Sequence, residues 1–190
     1  MSEPVLPLGG ASFDGLVEVR EIGPQGMITL RGDLSAPQVI AAVTDLTGLE
    51  MPGLRAANTA GDTGLLWMSP DELLVLVPYR QALAAVDRLN AALSGLHVLV
   101  VNVSDMRALF QLRGTQLRDV LAKLAPVDFA PEALPVGELR RTRFAQVAAG
   151  VWLLDDTTAR VFCFRSVAGY MFNLLSAVSD PDSHVGFHVT

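Results

Sequence analysis

The sequence predicts an α+β fold of two similar halves, each an antiparallel sheet with helices on one face. Three observations carry this expectation. Short apolar or alternating runs recur at strand length, separated by turns that contain Gly or Pro. Successive strands lack helical crossovers, which favours antiparallel pairing over a doubly wound parallel sheet. The chain also rhymes with itself. Leu30-Arg31-Gly32 precedes the first expected helix and Leu112-Arg113-Gly114 the third, so each half reads strand, strand, helix, strand, strand, helix.

The elements follow in order. Residues 1–12 carry frequent Gly and Pro without a period and read as a flexible leader. Strands are expected over 15–21 and 27–31, joined at Gly23-Pro24-Gln25-Gly26 in the residue pattern of a type I turn. A helix over 36–47 has Ser35 as its candidate N-cap and Pro37 in its first turn. Residues 48–63 read as a loop. A hairpin over 64–77 turns at Ser69-Pro70-Asp71-Glu72, and a helix over 80–93 aligns Leu83, Val86, Leu89 and Leu93.

The second half opens with strands at 96–103 and 107–113. In the latter Ala108, Phe110 and Leu112 alternate with Arg107, Gln111 and Arg113. A helix after Gly114 stops at Pro126, and a Pro-rich loop runs to 137. Strands follow at 139–147, 150–154 and 159–165. A last helix from Ser166 stripes Val167, Tyr170, Met171, Leu174, Leu175 and Val178. The expected organisation is therefore a leader (1–12), one domain of two halves (13–95 and 96–178), and a C-terminal tail (179–190).

Composition narrows the function classes. With 190 residues, folding hides roughly 70% of the unfolded chain's surface, enough to build a core without metals or disulfides. Hydrophobic residues make up 51% and charged residues 18%, which excludes disorder. The net charge of −6 argues against nucleic-acid binding, which wants a basic footprint. No apolar run reaches the length of a membrane span, and Met1-Ser2-Glu3-Pro4 lacks the marks of a signal peptide. With a single cysteine, a cytoplasmic setting is the expectation. Thirteen of the 14 basic residues are Arg, a bias that genomic composition explains better than interface pairing does. The mean hydropathy of +0.39 is high for a monomer of this size and fits surface that a partner covers.

Motifs for resident chemistry are absent. No G-x-G-x-x-G follows a strand, and there is no Walker A loop, H-E-x-x-H or G-x-S-x-G. His97 is expected in a strand, and His184 and His188 in the tail, where solvent contact explains them better than zinc does. Cys163 lies in the apolar run Val161-Phe162-Cys163-Phe164 and reads as an inert core thiol. Asp155-Asp156 and Asp71-Glu72 are explained by turn chemistry. Asp105 beside Arg107 reads as a cap or surface hydrogen bond. Arg140, Arg141 and Arg143 form the one basic cluster, with Arg141 and Arg143 on one strand face. A solvated edge is the default for them; acids on a partner, or a small anion, are the alternatives.

Several stretches resemble a known family. Trp67-Met68-Ser69-Pro70-Asp71-Glu72-Leu73-Leu74 is similar to the W-L-G/S-P-D-E-W/L-L stretch of the gamma subunits of heterotetrameric sarcosine oxidases. Val101-Asn102-Val103-Ser104-Asp105-Met106-Arg107 resembles that family's V-D-V-S-D-R segment, with Asn102 where Asp is frequent. Leu112-Arg113-Gly114, Arg118-Asp119-Val120-Leu121, Arg141-Thr142-Arg143 and Phe164-Arg165-Ser166 match later landmarks. The resemblance spans about residues 60–175.

The resemblance implies a fold related to the folate-binding part of the glycine-cleavage T-protein, in agreement with the internal repeat. It implies alpha, beta and delta subunits as partners. It also implies a complex that oxidatively demethylates sarcosine to glycine, with hydrogen peroxide and methylenetetrahydrofolate as the other products. FAD, FMN, NAD, tetrahydrofolate and zinc would then belong to other subunits, with no cofactor, metal or catalytic residue on this chain. The stretch Val147 to Leu154 has no acid where T-proteins carry one after a Gly-Gly pair, so independent folate catalysis is not expected. The leading expectation is a non-catalytic gamma subunit that stabilises its partners, with Arg107, Arg141 and Arg143 as interface candidates. The alternative is a free-standing folate-binding protein. A small homo-oligomer without a ligand is the third reading, and exposed apolar surface leaves self-association of the isolated chain open.

Overall fold

The computed structural model describes residues 4–185. Its elements run β1 (Ser12–Asp14), β2 (Glu18–Ile22), β3 (Gln25–Arg31), α1 (Pro37–Thr47), β4 (Ala57–Ala60), β5 (Thr63–Ser69) and β6 (Glu72–Pro78). They continue with α2 (Ala82–Ala92), β7 (Leu99–Asn102), β8 (Arg107–Arg113), α3 (Leu117–Ala122), β9 (Leu139–Phe144), β10 (Val147–Asp155), β11 (Thr158–Phe164) and α4 (Ala168–Val178). Two sheets result, ordered β1-β2-β8-β11-β10-β9 and β4-β5-β6-β3-β7, and every pairing in them is antiparallel. The α+β class read from the sequence is the one observed.

Each sheet belongs to one compact unit. A continuous unit spans Pro24–Ser104; a discontinuous unit joins the residues up to Gly23 to those from Asp105 onward. The sequential halves 13–95 and 96–178 group the strands differently. The expected turn at Gly23-Pro24-Gln25-Gly26 closes no hairpin: β2 pairs with β8, and β3 pairs with β6 and β7. Turn-forming residues mark where a chain bends, but not which strand receives it.

Within each unit the helices lie on one face of the sheet. In the continuous unit Ile28 and Leu30 of β3, Leu65 of β5 and Leu73, Val75 and Val77 of β6 pack with Val39 and Val43 of α1 and Ala82, Ala85 and Leu89 of α2. In the discontinuous unit Phe110 and Leu112 of β8, Val151 and Leu153 of β10 and Val161 and Cys163 of β11 pack with Leu117, Val120 and Leu121 of α3 and Met171 and Leu175 of α4. Alternate strand positions supply each core, as a two-residue side-chain period requires. Each fully buried Leu, Val or Met contributes roughly 1.5–3 kcal/mol. On α2 the expected stripe is shifted, because Ala82 and Ala85 are buried while Leu83 is exposed.

Local departures have local causes. Ala36, not Ser35, caps α1, and no side chain bonds there. The Ser35 hydroxyl and amide instead both donate to Asp33 Oδ1, which holds the Asp33 carboxyl below its usual range. The Gly- and Asn-rich stretch read as loop contains β4, whose short run Ala57-Asn58-Thr59-Ala60 carries no apolar alternation. His97 precedes β7 and is exposed rather than lying in a strand, and His184 is exposed too. His188 lies outside the described residues.

The repeat is deeper than the L-R-G rhyme. In both units a strand pair carries a register shift just before its turn, between Trp67 and Ser69 in one and between Leu153 and Asp155 in the other. Gly32 N–H donates to Asp71 O at 3.0 Å, and Gly114 N–H donates to Thr157 O at 2.8 Å. At both turns the side chains depress a carboxyl. Asp71 is lowered first by the Ser69 hydroxyl and then by Arg31, whose Nη2 lies 2.8 Å from it. Asp155 is lowered first by the Thr157 amide. A 3-10 turn then leads into α2 and, equivalently, into α4.

The repeat extends to a pair of glycines, each opposite a bulky cross-strand partner. Gly64 faces Leu76, and Gly150 faces Phe162. A Cβ at Gly150 would stand 2.2 Å from the Phe162 ring, whereas at Gly64 its nearest contacts are the ends of Thr59 and Leu76, at 3.0 and 3.1 Å. Phe162 is buried, with its ring centroid 6.1 Å from that of Trp152, and has little freedom to move. Gly150→Ala is expected to destabilise the protein by about 1–3 kcal/mol, the usual cost of overpacking, and Gly64→Ala by clearly less. Urea denaturation of the two variants checks this order.

Candidate functional site

The three arginines singled out by the sequence share one face of the six-stranded sheet, opposite the helices. Strand register places them. Leu109, Phe162, Gly150 and Arg141 stand in one cross-strand row. In the neighbouring row Arg107 faces Phe164, and Ala148 faces Arg143. Cross-strand partners point to the same side, so the arginines line up with the two phenylalanines and two small residues between them. They do not converge. Arg107 is three strands from Arg143, roughly 14 Å at the usual strand spacing, so one small anion cannot engage all three.

Each arginine is differently held. The Arg107 guanidinium sits 5.5 Å from the centroid of the Phe162 ring, a cation–π contact. Arg143 Nη2 donates to Gln146 Oε1 at 2.9 Å. Arg141 and Arg143 are both exposed on β9, the last strand of its sheet. Arg140 does different work: it pairs with Glu138 and donates to Ala133 O at 2.8 Å, bracing the loop before β9.

Beside Phe164 lies a shallow depression of about 710 Å³, whose lining includes Val5, Leu6, Pro7, Asp105, Met106, Phe164 and Arg165. Met106 and Phe164 are about half exposed and Val5 more so. Such surface suits an inserted apolar side chain from another molecule. Its wall is part of the segment expected to be a flexible leader. That segment is tied down by a buried carboxylate. Glu21, 3% exposed, accepts from the amides of Leu8 at 3.1 Å and Gly10 at 2.8 Å. Arg165 Nη2 also donates to Val5 O at 2.6 Å.

Cys163 adjoins Phe164 in sequence but points into the core on the helix side, and burial pushes its thiol up to about 12. At neutral pH it holds its proton and makes no nucleophile. Among the described residues no cluster of three or more His, Cys, Asp or Glu side chains suits a metal ion. No described helix is long and apolar enough to cross a membrane.

Comparison with known proteins adds to this geometry. Residues 31–180 match the model of the sarcosine oxidase gamma subunit family. The chain belongs to that family. A gamma subunit of sarcosine oxidase from Corynebacterium sp. (strain U-96) is 31% identical over 184 residues, covering 90% of this chain and 88% of that one. The chain superposes with a TM-score of 0.80 and 24% identity on a chain of the heterotetrameric sarcosine oxidase from Corynebacterium sp. U-96, covering 92% of this chain and 90% of that one. The aminomethyltransferase T of the glycine cleavage system from Bartonella henselae shares the fold, at a TM-score of 0.57 and 15% identity over 82% of this chain and 44% of that one.

The two longest stretches of the family resemblance are turn-builders in this structure. Trp67 to Leu74 forms the shifted β5–β6 turn. Asn102 and Ser104 form the exit from β7, where the Ser104 hydroxyl donates to Asn102 Oδ1 at 2.6 Å and accepts from Met27 N–H at 3.0 Å. Sequence reading missed Val5, Met106 and Phe164, because an apolar residue in an irregular segment or at a strand end gives no sign of which side of the surface it occupies.

Two outcomes are expected. Glu21→Ala removes the amide partners of Leu8 and Gly10, and should cost about 1.5–3 kcal/mol and open the chain before residue 12 to proteases. Limited proteolysis with mass spectrometry reads the cleavage sites. Cys163 should stay unlabelled by a thiol reagent at pH 8 in the folded protein and react fully in denaturant.

Proposed function

We propose that this chain is the non-catalytic gamma subunit of a heterotetrameric sarcosine oxidase and stabilises alpha, beta and delta subunits by burying shared surface. The family match over residues 31–180 carries this reading. It gains support from surface that suits a protein partner: the apolar depression at Phe164 and the arginine row beside it. In this reading the complex works in the cytoplasm and oxidises sarcosine. The methyl carbon passes to tetrahydrofolate, two electrons and two protons reduce oxygen to hydrogen peroxide, and glycine is released. FAD, FMN, NAD, tetrahydrofolate and zinc would be held by the other subunits. This chain supplies surface and takes no part in bond making.

Arg107, Arg141 and Arg143 are proposed as interface residues that meet carboxylates of a partner subunit, with Phe164 as the apolar anchor between them. Co-expression with candidate partner subunits, purification through a tag on this chain and a visible absorption spectrum test the reading. A yellow complex with sarcosine-dependent peroxide release is the expected result; partners that assemble and work equally well without this chain would overturn it. In that complex Arg141→Glu with Arg143→Glu should reduce recovery of the partners at least several-fold in 0.15 M salt. The isolated variant should keep its thermal midpoint within about 2 °C, because both side chains are exposed.

A further inference from the structure

Strand β7 ends the five-stranded sheet, and among the described residues no strand pairs with its outer side. The repeat shows what belongs there. In the discontinuous unit β2 is the equivalent strand: it pairs with β8 as β7 pairs with β3. The match is residue by residue. Leu99 lies opposite Arg31 and Glu18 opposite Arg113; Val100 lies opposite Leu30 and Val19 opposite Leu112. Val101 therefore corresponds to Arg20. On its other side β2 carries β1, an antiparallel strand with Ser12 facing Arg20 and Asp14 facing Glu18. Among the described residues, the position that β1 fills in one unit is open in the other.

Side-chain chemistry at the equivalent positions differs in a telling way. Glu18 and Arg20 form an ion pair of 3.1 Å on the surface. Leu99 and Val101 are 52% and 40% exposed, yet apolar. The run from Leu96 to Val103 contains no Asp, Glu, Lys or Arg and no proline. Proteins ordinarily protect an open strand edge with charge or proline, because its unpaired N–H and C=O groups recruit other strands. One unit of this fold has a covered edge and charged outer side chains; the other has an open edge and apolar ones.

We infer that β7 is a docking edge that receives an extended, uncharged strand of another subunit of the oxidase, laid antiparallel at the position β1 occupies against β2. The proposal rests on the gamma-subunit reading above. Val103 N–H donates to Met27 O on the β3 side, so by alternation the amides of Val100 and Asn102 point to the open side and bond the incoming strand. Leu99 and Val101 pack against its side chains, the usual division in strand addition, with backbone bonds for affinity and alternate side chains for selection.

The test borrows the repeat's own solution. Leu99→Glu with Val101→Arg installs the residues that the equivalent strand carries in water, so the isolated chain should fold with an unchanged circular dichroism spectrum and thermal midpoint. Its recovery with the partner subunits should fall at least ten-fold relative to the unaltered chain. In the unaltered complex the Val100 and Asn102 amides should exchange with deuterium at least ten-fold more slowly than in the isolated chain. A folded double variant that assembles normally, or amides that exchange equally fast in the complex, would overturn the docking edge while leaving the gamma-subunit reading intact. An unaltered chain that captures no partner overturns both. If light scattering shows that the isolated chain dimerises and the double variant does not, the occupant is a second copy and the proposal of a different subunit fails.

Discussion

A missing side chain at one position in each unit sets the terms for the rest of the fold. The central strands β3 and β8 each end in Arg-Gly, and the backbone of another segment passes directly over the glycine. A Cβ on Gly32 would lie 2.8 Å from Val98 Cγ1, and one on Gly114 would lie 2.9 Å from Val17 Cγ1. Val98 and Val17 lead into β7 and β2, the strands that pair with β3 and β8. Only a residue without a side chain lets those strands enter at the right height to form their ladders. With β7 and β2 seated, Val100 and Val19 reach their respective cores, and each central strand is bonded on both sides.

The two units solve this problem with different chain order. In the continuous unit the strand beside the central one comes from later in the chain. In the discontinuous unit it comes from the N-terminal side, before the continuous unit begins. The strand and its preceding valine do the same work in both. The N-terminal approach has a consequence: the segment before β2 must be anchored in its turn. It carries β1, meets the buried Glu21 carboxylate and forms a wall of the depression at Phe164. The sole lysine acts similarly beyond α4, where Lys123 Nζ donates to Val178 O at 2.9 Å and to Ser183 O at 2.5 Å. Arg118, 8% exposed, holds the loop after α3 by donating to Phe129 O and Leu134 O at 2.7 and 3.0 Å. Several of the few basic side chains thus secure connecting segments, while Arg107, Arg141 and Arg143 share their sheet face with Arg20, Arg113 and Arg160.

Much of the fold could be read in the sequence because its signals are local. Alternation in Arg107 to Arg113 gave that strand its boundaries, and Pro70 and Asp71 marked a real turn. The L-R-G rhyme pointed to duplication because steric crowding at Gly32 and Gly114 is a demand on a single residue. The candidate site was less legible. Arg141 and Arg143 share a face by their spacing alone, but their alignment with Arg107 depends on two intervening strands whose register no local pattern fixes.

By itself the amino-acid sequence determined the α+β class, the antiparallel pairing, the family landmarks and the inert setting of Cys163, since each follows from short-range patterning and residue chemistry. Only the tertiary structure decided which strand joins which sheet, that the leader is pinned by Glu21, and that Leu99 and Val101 stand where Glu18 and Arg20 stand in the other unit. The physical reason is that strand partners are chosen by contacts far apart along the chain. An edge, a covered face and a buried carboxylate exist only once those distant segments have met.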